Sequence, residues 1–178
     1  MDEQEKNEIL RLLAEGDTVL SAAMAGVSDN EASRRPPEGE WSVLECVEHI
    51  AVSERALLDC VLSATPADGP QHNPVREAKI FDRALDRSRT VQAPEIVIPA
   101  GKLETVSDAL ANFQTIRAET IACIERFEGN PRSWVTNHPL VRTPVNCYEM
   151  FLMIALHAKR HAMQIAQTRT MAVAEPQP

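Results

Sequence analysis

Aromatic residues make up only 4 % of this 178-residue chain, with a single Tyr among them. Its core must therefore come from Leu, Ile, Val, Ala and Met, a mix that favours helix packing over sheets. A basic stripe is also missing. The net charge is −8, and acidic and basic residues are interspersed. Phosphate neutralisation supplies most nucleic-acid affinity, so no nucleic-acid partner is expected. An anionic membrane surface is disfavoured for the same reason, and no apolar run approaches a bilayer span. The start, Met1-Asp2-Glu3-Gln4-Glu5-Lys6, lacks the basic and apolar regions of a secretory signal. A cytoplasmic location is expected. Cys46, Cys60, Cys123 and Cys147 form no Cys-x-x-Cys pair. They read as reduced core residues, with a thiol nucleophile or a disulfide as the alternative.

What the chain does have is helical period, in four long segments. The first runs from about Asp2 to Met24, with Ile9, Leu13, Gly16, Leu20 and Met24 on one stripe. Ser28 to Glu40, with Pro36-Pro37 and Gly39, reads as a loop. The second segment opens on Ser42 and Glu45, the Ser-x-x-Glu spacing of a capping box, and should end near Ser63, before Pro66. Residues 64–104 hold five prolines, at 66, 70, 74, 94 and 99, and leave room for a short helix around Val75 to Leu85. A connection this long needs a reason. It can carry the chain back along a bundle, so that the helices on either side run parallel. The third segment starts near Thr105 or Ser107 and stops at Gly129-Asn130-Pro131. Thr143-Pro144 reads as an N-cap and first-turn pair for the fourth, which runs to about Thr168. The expected fold is an all-α four-helix bundle in one domain over residues 1–170, with a frayed tail at 171–178.

Five histidines are present. His157 and His161 stand at i, i+4, which puts both side chains on one helical face, one turn apart. Two imidazoles so placed can bind one ion, although no Glu follows His157 as in a His-Glu-x-x-His helix. By itself the pair is equally a solvated face. However, Met150, Met153, Ile154 and Ile165 share its side of the helix, while Lys159 and Arg160 point elsewhere. Two buried imidazoles need hydrogen bonds or a metal. His49 is the third candidate, flanked at helical spacing by the small Cys46 and Ser53; alone, it reads as well as a core histidine bonded to a carbonyl. His49 lies about seven residues after the start of the second helix, and His161 about seven before the end of the fourth, at 1.5 Å of rise each. Antiparallel helices bring the three rings to one height, whereas parallel ones offset them by roughly 15 Å. His72 and His138, in Pro-containing loops, are taken as non-ligands. Glu45, one turn from His49, is a candidate base or a partner behind the ligand, and equally the capping-box acid. Gln164 can hydrogen-bond a ligand or simply pack.

The run Trp41-Ser42-Val43-Leu44-Glu45-Cys46-Val47-Glu48-His49-Ile50 resembles the opening of the second helix in DinB-like (YfiT-type) proteins. His138-Pro139-Leu140, Thr143-Pro144, His157-Ala158-Lys159-Arg160-His161 and Gln164-Ile165 continue the likeness. One departure concerns the last loop, where Val141-Arg142 stands in place of the family's frequent Gly. The resemblance implies an up-down-down-up bundle, a frequent homodimer, and a metal held by His49, His157 and His161. It also implies relatives that include thiol-cofactor-dependent transferases and isomerases. The expected cofactor is one divalent ion, for which three imidazoles suit Zn, Ni, Co, Fe or Cu. The expected partner is a small-molecule substrate, and a low-molecular-weight thiol fits the metal chemistry. Two functions remain open: a metal-dependent transferase or hydrolase, and a non-catalytic metal-binding stress-response dimer whose histidines are structural.

Overall fold

The computed structural model describes residues 1–36, 40–88, 92–139, 141 and 143–174. Its elements are α1 (Glu3–Met24), α2 (Asp29–Ser33), α3 (Val43–Leu62), β1 (Thr65–Pro66), α4 (Pro74–Leu85), α5 (Val106–Arg126), β2 (Trp134–Thr136), β3 (Val145–Asn146) and α6 (Cys147–Ala174). The four long helices α1, α3, α5 and α6 form a four-helix bundle. A small antiparallel sheet in the order β1-β2-β3 closes one end. That sheet gathers the C-termini of α3 and α5 and the N-terminus of α6. Arg132, beside it, pairs with Glu5 at the start of α1. The helices therefore run up, down, down, up, and residues 64–104 carry the chain back between the parallel α3 and α5.

Local chemistry sets most boundaries. Ser42 and Glu45 form the capping box of α3, with Ser42 Oγ accepting from the Glu45 amide at 3.2 Å and Glu45 Oε2 from the Ser42 amide at 2.9 Å. Thr105 caps α5, and Asn73 caps α4 ahead of Pro74. Three expectations are corrected. The Ser28–Glu40 loop contains α2, capped by Ser28. Thr143-Pro144 does not begin α6. Instead Val145 and Asn146 pair with β2, and Asn146 caps the helix reciprocally with Glu149 at 2.9 and 3.0 Å. Burial of Val145 and a bond from Asn146 Nδ2 to the Gln71 carbonyl at 2.7 Å hold the chain extended there. Finally, α6 continues to Ala174 rather than ending near Thr168. Pro37 and Gly39 of the first loop, Leu140 and Arg142 of the last, and residues 175–178 of the expected tail lie outside the described residues.

Two apolar clusters fill the bundle. One, towards the sheet, joins Ile9, Leu13, Leu57, Val61, Ile124 and Phe151. The other, at the far end, joins Leu20, Met24, Val47, Ile50, Phe113 and Ile165. On α1, α3 and α5 a buried polar layer separates them. Here Arg117 binds Glu54 at 2.9 Å and Asp17 at 3.3 Å. The parallel helices α1 and α6 pack closely at Gly16, where an added Cβ would stand 3.3 Å from the Ala155 carbonyl oxygen.

Candidate metal centre

The far half of α6 and the first half of α3 run antiparallel, and their facing sides carry the three histidines. One donor atom from each of His49, His157 and His161 lies within 4.8 Å of the others. Ring centroids are 5.1 Å apart for His49 and His157, 4.7 Å for His49 and His161, and 4.5 Å for His157 and His161. His49 and His161 are buried and His157 is half-buried. The half-buried Trp41 packs on the His49 ring at 4.5 Å.

The hydrogen bonds fix two tautomers. His49 Nδ1 donates to the Val97 carbonyl at 2.7 Å, which leaves the lone pair on Nε2, with Ser53 Oγ 3.4 Å away. His161 Nδ1 donates to Gln164 Oε1 at 2.9 Å, which likewise leaves the lone pair on Nε2. His157 differs, because its Nδ1 is shielded from solvent and has no hydrogen-bond partner among the described residues. A buried polar atom left this way costs about 1–3 kcal/mol unless a ligand satisfies it. Burial lowers the basicity of all three rings. It lowers His49 against the opposing Val97 bond, brings His161 to about 3 with help from the His49 charge, and takes His157 well below the ordinary value. The neutral imidazole is the form that binds a metal. Two bonds of about 2.0–2.1 Å span at most roughly 4.2 Å, so an ion would draw the rings slightly inward. The donor set fits a divalent ion.

The remaining candidates lie elsewhere or are otherwise engaged. His72 is exposed, with Nε2 3.7 Å from Glu77. His138 stays outside the donor cluster, though its charge is felt at His157. Both Glu45 oxygens are committed to Ser42 and Arg35. Burial raises the Glu45 pKa, but the Arg35 and Ser42 bonds outweigh it and the net shift is downward, which suits an anchor better than a base. Cys46, one turn before His49, is not in the cluster, and burial pushes its thiol up to about 12. All four cysteines are free. Sequence reasoning missed the segment that fixes His49. Glu48 accepts from the amides of Ala100 and Gly101 at 3.2 and 2.9 Å, and so holds the stretch carrying Val97 against α3. A backbone carbonyl leaves no sequence signal, and the Glu48 side chain gave none that spacing could reveal.

The family model of the DinB superfamily matches residues 12–165. The chain belongs to the DinB superfamily. A curated relative, the uncharacterised protein YuaE of Bacillus subtilis strain 168, is 22 % identical over 148 residues, covering 82 % of this chain and 88 % of YuaE. Among solved structures, YfiT from Bacillus subtilis matches with a TM-score of 0.61 at 15 % identity, over 97 % of this chain and 90 % of that one. YfiT is described as a probable metal-dependent hydrolase with an unusual four-helix bundle topology. At that identity the likeness shows the fold. In this DinB-superfamily chain no helix among the described residues is long and apolar enough to cross a membrane.

Proposed function

We propose that this protein holds one divalent metal ion on His49, His157 and His161, and uses it as a transferase or hydrolase against a small electrophilic substrate. The unpartnered, buried Nδ1 of His157, beside two imidazoles whose other nitrogens are already pinned, carries this reading. Bound there, a divalent ion supplies Lewis-acid chemistry, activating a water or a low-molecular-weight thiol near neutral pH. The protein's own part is positional. Val97 and Gln164 hold two rings in register, and Trp41 covers the His49 ring. Among the described residues no fourth His, Cys, Asp or Glu joins the cluster. That favours an open coordination position over a closed structural site. The description of YfiT as a probable metal-dependent hydrolase supports the same choice. A cytoplasmic homodimer built from one domain completes the proposal.

Metal analysis of protein purified without a histidine tag tests it. Wild type should carry one equivalent and His157→Ala should lose it; equal content in both overturns the site. A chelator-sensitive addition of a thiol to an electrophile, or chelator-sensitive ester hydrolysis, restored by added metal, supports catalysis. A fully loaded protein inert in both assays supports the structural alternative instead.

A further inference from the structure

Arg87 lies just past the end of α4, in the long connection, and it is placed with unusual care. Arg160, on α6 between two of the histidines, donates to the carbonyls of Arg83, Ala84 and Asp86 at 3.3, 3.4 and 2.5 Å. It therefore fixes the end of α4 against α6. From there, Arg87 Nε donates to Gln167 Oε1 at 2.9 Å and Nη1 to Gln164 Oε1 at 3.4 Å. The Gln164 oxygen is also the acceptor for His161 Nδ1. One amide oxygen thus joins the guanidinium to a metal-site imidazole, and the Arg87 charge is felt at His161.

Arg87 meets no carboxylate among the described residues. A guanidinium has five N–H donors in a fixed fork. Two are used by the glutamines, and among the described residues none takes the rest, on Nη1 and Nη2. Two parallel N–H groups on a planar edge match a carboxylate in bidentate fashion. Arginine turned only to solvent needs no pair of amides to hold it. We propose that Arg87 is the carboxylate-binding residue of this site, so that the small molecule handled here carries a carboxylate at Arg87 and presents its reacting end to the three histidines. The proposal rests on the reading that those histidines hold a metal ion.

The test uses the full chain loaded with cobalt(II), whose visible spectrum reports a thiol entering the site. Two probes of similar size are titrated: 3-mercaptopropionate, which carries a carboxylate, and neutral 2-mercaptoethanol. Wild type should favour the charged thiol, and the ratio of the two affinities should fall about tenfold in Arg87→Gln, the loss of one charge-assisted contact. Arg87→Lys should keep part of the preference, which a mere folding defect would not. Equal ratios in wild type and Arg87→Gln overturn the carboxylate site and leave the metal intact. A cobalt spectrum that neither thiol shifts does the same. A wild-type protein that takes up no cobalt overturns the metal reading and this proposal together.

Discussion

Two of the three imidazoles at the centre are set by their second nitrogen. The Val97 carbonyl and the Gln164 amide oxygen are acceptors that hold His49 and His161 with the lone pair on Nε2. Partners of this kind usually change metal affinity by 10–100-fold, on the order of 1–3 kcal/mol. Gln164→Leu should therefore weaken metal binding by about tenfold or more, measured by competition with a chromophoric chelator. Unchanged affinity would show that Gln164 merely packs. Glu45 gives a pH prediction. Its folded pKa lies below its unfolded one, so the stability it adds is complete above the ordinary carboxylate range and is lost as pH falls through the depressed value. Wild type should exceed Glu45→Gln by about 1 kcal/mol near neutral pH, with the gap closing in acid. Denaturant unfolding across pH measures this, and a gap that does not vary with pH contradicts it.

Among the elements, what could be read beforehand was what depends on near neighbours. Ser42 and Glu45 are three residues apart, so the start of α3 was visible in the sequence. Asn146 and Glu149 have the same spacing, yet Thr143-Pro144 offered a competing start just ahead of them. The contest was decided by the β2–β3 pairing and by the Gln71 carbonyl, both distant in sequence. The same long-range pairing hid the sheet, whose strands are only two or three residues long. Asn146→Ala removes both the cap and the Gln71 bond and should cost about 2 kcal/mol. A thermal or denaturant melt checks the value. Gly16 gave a place on the α1 stripe but no hint of why it is glycine. Its Cβ site faces the Ala155 carbonyl oxygen at 3.3 Å and Ala158 at 3.5 Å. Gly16→Leu should force α1 from α6 and cost about 3 kcal/mol, and a stability near wild type would show that the interface yields.

Over the whole molecule, the antiparallel relation of α3 and α6 brings His49 to the level of His157 and His161. The long connection was compatible with that relation, and the family resemblance implied it. The role of Arg117 was not legible, because nothing in a single helix announces that a charge will be buried among three. Arg117 as a residue is 3 % exposed, and it joins Glu54 and Asp17 in the layer between the apolar clusters. Arg117→Met strands two carboxylates and should cost about 3–5 kcal/mol, whereas Arg117→Met with Glu54→Leu should recover much of it. Denaturant melts of the two variants separate these outcomes, and equal losses would contradict the layer's role as a coupled network. The central claim concerns the other buried polar group, the three rings at a common centre. X-ray absorption of the metal-loaded protein measures the ion's own surroundings. It should show imidazole nitrogens at about 2.0–2.1 Å, three of them, with light-atom donors completing the shell. Sulfur at about 2.3 Å, or a shell without imidazole scattering, would contradict it.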